Sequence, residues 1–262
     1  MIRVGVGGWT YEPWRGTFYP KDLKHADELS YASRKLTTIE INGTFYRTQS
    51  PESFRKWRDE TPDDFVFAVK GHRAVVNTRK LAESADRVSW FINSGIVELG
   101  EKLGPVLWQF APFRRFDAED LGSFLKLLPR KSGGRELMHV IEPRHKSFQV
   151  PKLIELAHEN NVAIVYADSD DYPAIADITA DFIYARLQRT EENQPTGYSK
   201  ADIGRWAARA KVWESGGAPD DLPKIDPKSA PKKKRPVFIY MISGAKVRDP
   251  AAAMALIERV KA

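Results

Sequence analysis

Acidic residues stand at or near the ends of three short apolar runs in this sequence. They are Glu40, Glu142 and Asp168. Carboxylates that share a site can act as general acid and general base, or they can hold a hard divalent cation. These three residues are therefore the candidate catalytic residues of the chain.

Cationic, amide and aromatic side chains occur at the ends of the same runs and of neighbouring ones. Lysine and arginine would meet the oxygens of an anionic ligand, and a lysine that leaves an apolar strand could also activate a carbonyl group. Aromatic rings could stack on a base or a sugar, although a tryptophan is as often a lid over the core. The candidate ligand-binding residues are Trp9, Tyr11, Trp14, Asn42, Phe45, Lys70, Gln109, Arg144 and Arg186.

The same residues also fit a purely structural network. A buried carboxylate must be paired or change its protonation state, and pairs such as Glu40 with Arg144 or Glu142 with Arg186 would satisfy this. A divalent cation could also offset the clustered acids. Because Lys70, Arg144 and Arg186 already supply three cations, we favour a basic bridge over a metal. No metal ligand or other cofactor is assigned.

Familiar catalytic signatures are absent from the sequence. The five histidines lack the H-E-x-x-H spacing of a zinc site, and there is no cysteine to act as a thiolate ligand or nucleophile. There is no G-x-x-x-x-G-K-[ST] loop and no G-x-S-x-G elbow. Gly5-Val6-Gly7-Gly8-Trp9 lacks the last glycine of a dinucleotide fingerprint. The motifs alone therefore name no reaction.

Eight apolar, β-branched runs predict the strands that must position the candidate residues. Strands of a parallel sheet are buried on both faces, so they are expected to be almost continuously apolar. The predicted strands are Ile2–Val6, Thr37–Ile41, Phe65–Val69, Pro105–Gln109, Met138–Glu142, Ala163–Ala167, Phe182–Arg186 and Val237–Tyr240. Most segments between them have helical periodicity.

This alternation predicts an α/β fold, a (β/α)8 TIM barrel that forms a single domain over residues 1–262. The 262 residues match the usual size of such a barrel, ~250 residues. A doubly wound open sheet is the alternative. In a barrel the carboxyl ends of all strands meet at one mouth, so we expect the candidate residues to converge there.

One basic segment accounts for half of the net charge of +6. Residues 211–236 contain seven basic and four acidic side chains and are rich in Gly and Pro. This composition predicts a solvated loop inserted before the last strand. Deleting residues 216–230 is then expected to change the thermal stability little. The overall charge is only a weak indication of a polyanionic partner.

The sequence predicts a cytoplasmic protein without a membrane partner. No run approaches the ~20 apolar residues of a membrane span. The first residues form a strand pattern rather than a signal peptide, and the lack of cysteine fits a reducing compartment. The oligomeric state stays open, and a monomer is compatible with the sequence.

Several motifs resemble, in order, those of one known family. Gly7–Tyr11, with Trp14–Gly16 and Phe18–Pro20, is similar to the start of that family, and Glu40–Tyr46 is similar to its most distinctive segment. The match continues through Phe67–Lys70, Leu103–Gln109, Glu142–His145, Ala167–Ser169 and Tyr184–Leu187. On these motifs the chain is identified as a member of the YecE-like family, domain of unknown function 72, over nearly its whole length.

The resemblance implies a barrel related in shape to xylose-isomerase-like and endonuclease-IV-like enzymes, without an established activity. Two strand ends depart from the family pattern. Gln188-Arg189 follows Leu187 where relatives usually have His-Gly, and Met241-Ile242-Ser243 stands where they tend to have Phe-Asn-Asn. These departures indicate a diverged branch with a modified substrate.

Three hypotheses of function follow. The leading one is an enzyme-like barrel that binds a phosphorylated or nucleotide-type ligand, with a hydrolase or phosphodiesterase activity carried by the three carboxylates. The second is a non-catalytic nucleic-acid-binding protein that uses the mouth together with the 211–236 loop. The third is a carbohydrate-processing enzyme, because paired carboxylates flanked by tryptophans suit glycosides.

Overall fold

The computed structural model describes residues 1–226 and 231–262 and contains one large parallel sheet. In chain order the strands are β1 (Ile2–Gly7), β2 (Thr38–Ile41), β3 (Val66–Lys70), β4 (Leu103–Gln109), β5 (Lys131–Ser132), β6 (Arg135–Glu136), β7 (His139–Glu142), β8 (Ala163–Ile164), β9 (Tyr166–Asp168), β10 (Ile183–Leu187) and β11 (Val237–Met241). Strands β5 and β6 form a separate antiparallel hairpin. The other nine strands belong to the large sheet.

The large sheet curves into a nearly closed barrel. Its order is β8-β7-β4-β3-β2-β1-β11-β10-β9, and all neighbouring strands are parallel. The two ends, β8 and β9, are separated in the chain only by Val165. β8 pairs with β7 and β9 pairs with β10, so this stretch changes partner at Val165 and closes the sheet. The predicted α/β barrel is confirmed, whereas a continuous strand over Ala163–Ala167 was wrong.

Helices connect most of the strands and cover the outside of the sheet. They are α1 (Glu28–Ser33), α2 (Pro51–Glu60), α3 (Arg73–Val76), α4 (Ala85–Ile92), α5 (Ala118–Leu127), α6 (Pro151–Glu159), α7 (Lys200–Glu214) and α8 (Asp249–Lys261). Local sequence explains several of their starts, because Ser50, Asp117 and Ser199 cap α2, α5 and α7 through side-chain oxygens. Within the described ranges, no helix combines the length and the apolar character needed to cross a bilayer.

Alternation along the strands divides the core into an inner and an outer layer. On β3, Ala68 belongs to the cluster that fills the barrel, while Phe67 and Val69 pack outward with the helices. The interior cluster also contains Leu107, Val140, Val165, Phe182, Tyr184, Phe238 and Tyr240. A polar residue two positions after an inward apolar residue therefore faces the barrel's interior at its carboxyl end.

The predicted loop over 211–236 needs two corrections. Helix α7 continues to Glu214 and buries Trp213, so the connection to β11 begins at Ser215. The described part of this connection is largely exposed, as predicted, but buried residues anchor it to the rest of the chain. Leu222 is 5% exposed, and the buried Arg235 donates to the carbonyls of Lys233 and Pro231. Residues 227–230 of the prediction lie outside the described residues.

Backbone hydrogen bonds tie the connection to the barrel. The Asp177 carboxylate accepts from the backbone N–H groups of Ile225 and Asp226, both at 2.8 Å. Pro223 O accepts from the backbone N–H of Ala176 at 2.9 Å. Deleting residues 216–230 would remove the buried Leu222 and these contacts, so it is now expected to lower the thermal stability.

A single substitution can measure the attachment of this connection. Asp177→Ala is expected to lower the free energy of unfolding by about 1–3 kcal/mol, because two backbone donors lose their charged acceptor. Asp181→Ala is a matched control, since the exposed Asp181 contacts Lys233 of the same connection in a surface ion pair of 3.0 Å. Such a pair is worth at most about 1 kcal/mol. Equal urea midpoints for the two variants would contradict the attachment.

Candidate functional site

Five polar side chains converge inside the barrel at the carboxyl ends of its strands. Glu40, Lys70, Gln109, Glu142 and Arg186 come from β2, β3, β4, β7 and β10 respectively. All five are buried. Each stands two positions after an inward-facing residue, so strand alternation aims all of them at the same mouth. The structure thus brings together five of the residues that the sequence indicates.

Arg186 bridges two carboxylates at the centre of this cluster. Its Nη1 donates to Oε2 and Oε1 of Glu142 at 2.7 and 2.9 Å, and its Nη2 donates to Oε1 of Glu40 at 3.1 Å. The three side chains are almost completely buried. The arrangement pairs Glu142 with Arg186, as one sequence interpretation proposes. Glu40 pairs with Arg186 rather than with Arg144.

Glu142 is held in its ionised form by its neighbours. Burial by itself would raise the pKa of the carboxyl, but Arg186, Arg144 and the Gln109 amide lower it to about 2. Gln109 Nε2 donates to Oε2 at 2.5 Å, and Arg144 Nη2 donates to Oε1 at 3.2 Å. A carboxylate with this pKa accepts a proton poorly at neutral pH. Glu142 therefore contributes a negative charge and hydrogen-bond acceptors for the two arginines.

Arg144 lies at the edge of the same cluster. The strand β7 ends at Glu142, and the chain leaves the sheet at Pro143. This lets the Arg144 guanidinium return over Glu142, with its Cζ 4.2 Å from the ring centroid of Tyr172. Arg144 is partly exposed. It therefore forms part of the rim of the mouth, although it still shares its charge with Glu142.

The support beneath Glu40 was not anticipated from the sequence. The Tyr184 hydroxyl donates to Oε2 of Glu40 at 2.6 Å. Below it, the hydroxyls of Tyr240 and Thr38 lie 2.9 Å apart, and Thr38 donates to the carbonyl of Val66. Tyr184 stands two positions before Arg186 on β10, so strand alternation was the signal that could have identified it.

Lys70 differs from the two arginines because its amine lacks a polar partner. Among the described residues no acceptor lies within hydrogen-bonding distance of its Nζ, which sits 4.5 Å from the ring centroid of Phe45. Burial lowers the pKa of Lys70 to about 8, and Arg186 acts in the same direction, whereas Glu40 and Glu142 oppose the shift. The amine can therefore exchange its proton near neutral pH.

Two further side-chain donors at the end of β10 have no hydrogen-bond acceptor among the described residues. Nε of Arg186 and Nε2 of Gln188 are buried without a hydrogen-bond partner in the described part of the chain. Gln188 directly follows Leu187, the last residue of β10, so it stands just beyond the strand end that carries Arg186. Buried donors without a partner also occur elsewhere in the described ranges, at the Nε atoms of Arg15, Arg114 and Arg235.

Asp168 does not belong to this cluster. Its neighbour on β9, Tyr166, packs outward against Trp206, and Asp168 faces the same outer side by alternation. Its carboxylate accepts from the Tyr198 hydroxyl at 3.1 Å and lies 3.4 Å from Arg189 Nη1. Burial raises the pKa of Asp168, while Arg189 and Tyr198 oppose the shift. The expected proximity to Glu40 and Glu142 was wrong.

The aromatic candidates divide into buried and accessible residues. Trp14 is completely buried, and its Nε1 donates to the carbonyl of Lys246, so it cannot stack on a ligand. Trp9 is partly buried and makes an edge contact with Trp57 at 5.0 Å on the outer side of the sheet. Tyr11 is covered by the Lys246 ammonium at 4.3 Å. Phe45, which lies under Lys70, is the aromatic candidate at the charged cluster.

Asn42 follows the last residue of β2 and lies beside Gly7 at the end of β1. Its Nδ2 is 3.5 Å from the carbonyl of Glu40, which is a weak hydrogen bond. A Cβ atom on Gly7 would come within 2.7 Å of this nitrogen, so the glycine leaves room for the amide.

Among the residues described, no group of three histidine, aspartate or glutamate side chains is arranged to hold a metal ion.

The fold and this cluster define a class of protein, an α/β barrel with a charged, partly apolar mouth at the carboxyl ends of its strands. The model of the family described as "Protein of unknown function DUF72" matches residues 3–262. The chain therefore belongs to the DUF72, or YecE-like, family, as its motifs predict.

Individual relatives agree with this assignment. The UPF0759 protein YecE of Escherichia coli (strain K12) is 27% identical over 149 residues, covering 56% of this chain and 50% of the relative. The chain thus spans about half the length of the curated relatives it matches. A DUF72 family protein of Thermotoga maritima MSB8 has a similar structure, with a TM-score of 0.75, 20% identity and 100% coverage of both chains.

A more distant structure supports the barrel fold. It is a xylose isomerase-like TIM barrel/4-hydroxyphenylpyruvate dioxygenase fusion protein, with a TM-score of 0.53 and 14% identity. The similarity covers 95% of this chain and 41% of that protein. At this identity the likeness concerns the fold alone.

Proposed function

We propose that this protein binds a small organic anion, such as a phosphorylated or carboxylated metabolite, at the mouth of its barrel. The observation that carries the proposal is a group of donors without acceptors at these strand ends. Arg186 Nε and Gln188 Nε2 are buried without a partner, and the described residues give Lys70 Nζ a ring contact but no hydrogen bond. Phosphate and carboxylate oxygens are acceptors that such donors recognise.

The charges of the cluster point in the same direction. Lys70, Arg144 and Arg186 supply three positive charges, and Glu40 and Glu142 supply two negative ones. One positive charge is left over in a largely buried site. Because both carboxylates are already paired with arginine, the excess charge resides mainly on Lys70. An anion beside Lys70 would neutralise it at little cost in reorganisation.

The positions of the candidate residues support anion binding and give less support to nucleotide stacking, hydrolysis and carbohydrate processing. A nucleotide-type ligand loses Trp9 and Trp14 as stacking surfaces, whereas a compact anion needs only Phe45. Hydrolysis by the carboxylates loses support, because Glu142 is a weak base and Asp168 faces the outer side. The carbohydrate hypothesis loses the tryptophan platform on which it depended. Binding through the cations retains its support.

Nucleic-acid binding has separate support on the rim. The exposed Tyr46 and Trp90 flank His72, whose ring lies 5.0 Å from Trp90 and whose Nε2 lies 3.2 Å from Tyr46 O. The Arg73 guanidinium is 5.8 Å from the Tyr46 ring. Aromatic rings beside arginine are typical of single-strand binding surfaces. This second candidate uses a surface other than the mouth and the 211–236 segment.

Inorganic phosphate provides the first test of the anion site. At ten times its dissociation constant it should stabilise the fold by about 1.4 kcal/mol, which raises Tm by roughly 3 °C. Lys70→Gln should abolish the shift, while Lys70→Arg and the exposed Lys126→Gln should retain it. The shift should weaken as the pH rises through about 8, because Lys70 then loses its charge.

The controls separate specific binding from screening. Sodium chloride at matched ionic strength should not reproduce the shift. An equal shift in wild type and Lys70→Gln would contradict the proposal. A single-stranded oligonucleotide in the same titration distinguishes the second candidate, since its binding would depend on Trp90 and not on Lys70.

A further inference from the structure

The amine of Lys70 has surroundings that suit covalent chemistry better than a simple salt bridge. The two carboxylates nearest to it in the cluster are occupied by Arg186, and no acceptor among the described residues fixes its Nζ. The residue is 9% exposed, so water reaches it poorly. Alternation along β3 puts Lys70, the last residue of the strand, on the same side as the inward-facing Ala68. A lysine in this setting is a candidate nucleophile as well as a cation.

We infer that Lys70 condenses with the carbonyl group of an aldehyde or keto acid that binds at the mouth, forming an imine. The inference rests on the proposed anion site, because the carboxylate or phosphate of the same molecule would occupy the unfilled donors of Gln188 and Arg186. The proposed ligand is thus an organic anion that also carries a carbonyl group.

The step balances without an added oxidant or reductant. The neutral amine attacks the carbonyl carbon, and one proton passes from the amine nitrogen to the former carbonyl oxygen to give a carbinolamine. The hydroxyl group then leaves with the second proton of the nitrogen as one molecule of water, and a carbon–nitrogen double bond replaces the carbon–oxygen double bond. The product is an imine, whose protonated form carries one positive charge on nitrogen. Relative to the resting Lys70 ammonium, the protonated imine therefore leaves the positive charge that faces Glu40 and Glu142 unchanged.

The supply of neutral amine is adequate near neutral pH. With the pKa of Lys70 at about 8, about a tenth of the amine is unprotonated at pH 7. An ordinary lysine with a pKa of 10.5 has a fraction that is roughly three hundred times smaller. The charged groups that face Lys70 are Glu40 on β2, Glu142 and Arg144 at the end of β7, and Arg186 on β10.

Other lysines of the chain provide internal controls. Lys102 is also buried, but its Nζ donates to the carbonyls of Arg58 and Thr61 at 2.6 and 2.7 Å, which closes the end of α2. Its amine is fully occupied by a structural role. Lys126 is exposed on α5 and represents an ordinary surface amine. Comparing the labelling of Lys70 with that of Lys102 and Lys126 therefore distinguishes the effect of its unpartnered amine from the effects of burial or exposure alone.

Reductive trapping tests the inference on the full chain. The protein is incubated with glyoxylate and sodium cyanoborohydride, digested and mapped by mass spectrometry for the carboxymethyl group that reduction of the imine leaves on lysine. Lys70 should be labelled at least about tenfold faster than Lys126 at pH 7, with little labelling of Lys102. Inorganic phosphate should slow the labelling of Lys70 and leave that of Lys126 unchanged.

The pH dependence adds a signature that a merely accessible lysine lacks. The ratio of Lys70 to Lys126 labelling cancels the pH dependence of the reductant. It should stay constant below about pH 8 and fall above it, because the neutral fraction of Lys70 then saturates. An uncharged aldehyde, butanal, should show a smaller preference for Lys70 than glyoxylate does.

The outcomes separate this inference from the proposed function. Labelling spread over surface lysines in proportion to their exposure overturns the imine, even where phosphate still raises Tm through Lys70. Lys70→Arg should keep the phosphate-dependent rise in Tm and lose the selective label. A selective label that phosphate does not slow supports a reactive amine and contradicts the shared anion site.

Discussion

Replacing Arg186 by methionine is expected to lower the free energy of unfolding by about 3–5 kcal/mol, the usual cost of removing one partner of a buried ion pair. The guanidinium donates to both carboxylate oxygens of Glu142 and to Oε1 of Glu40. Methionine fills much of the volume but leaves both acids in the barrel without their main cation. Urea unfolding at pH 7 measures the loss.

The loss should depend on pH in a defined direction. In the wild-type protein the pKa of Glu142 is about 2, below its ordinary 4.5. Its ionised form therefore contributes stability above about pH 4.5, which disappears as the pH falls toward 2. Without Arg186, we expect burial, which opposes the ionised form, to outweigh the remaining cations and raise this pKa. The variant should then recover stability on acidification, so its deficit should be smaller at pH 5 than at pH 7.

Two controls distinguish charge from lost packing. Arg144→Met removes a guanidinium that contacts the same carboxylate from the partly exposed rim, so we expect a loss on the order of 1 kcal/mol. Adding Glu40→Gln and Glu142→Gln to Arg186→Met should restore part of the stability, because the unpaired charges are then gone. A loss that is equal for Arg144 and Arg186, or a deficit unchanged between pH 5 and 7, would contradict the bridge.

The members of the charged cluster were predictable because each follows an inward residue by two positions. Lys70 follows Ala68 and Arg186 follows Tyr184, and both pairs lie at strand ends. The bridge itself was not predictable in detail. Arg186, Glu40 and Glu142 come from strands far apart in the chain, and their pairing depends on which strands face each other across the barrel.

The wrong predictions have one local cause and two that depend on contacts distant in the sequence. Asp168 ends a strand as the other acids do, but Tyr166 packs outward and sets the side that Asp168 takes. Trp14 stands in a polar motif, yet its ring is buried and its Nε1 finds the carbonyl of Lys246, which the sequence does not place nearby. The connection before β11 reads as solvated because its acceptor, Asp177, lies in an earlier loop.

Short hairpins carry a readable signal that the barrel pattern conceals. Gly133 and Gly134 both adopt positive φ, at 56° and 79°, and join β5 to β6. Two glycines between short polar strands are typical of a tight two-residue turn. The eight predicted apolar strands do not include this hairpin because its residues are polar.

Gly5→Ala is the second substitution with a large expected effect, because β1 and β2 approach closely at this position. A Cβ atom on Gly5 would lie 1.7 Å from the backbone oxygen of Thr38 and 2.7 Å from its carbonyl carbon. A backbone atom cannot rotate away as a side chain does, so the strands must separate. We expect a loss at or beyond the upper end of the ~1–3 kcal/mol typical of overpacking.

The separation should also reach the charged cluster, since Gly5 pairs with Thr38 and Gly7 pairs with Glu40 in the same register. Any Gly5→Ala protein that folds should therefore show a weakened phosphate response, because Glu40 moves relative to Arg186. Gly43→Ala is the matched control, as no heavy atom lies within 4 Å of its added Cβ. It should stay within about 0.5 kcal/mol of wild type in urea unfolding. Equal stability of Gly5→Ala and Gly43→Ala would contradict the close packing of β1 and β2 at this position. It would also contradict the position of Glu40 inside the barrel, because that position depends on the same register.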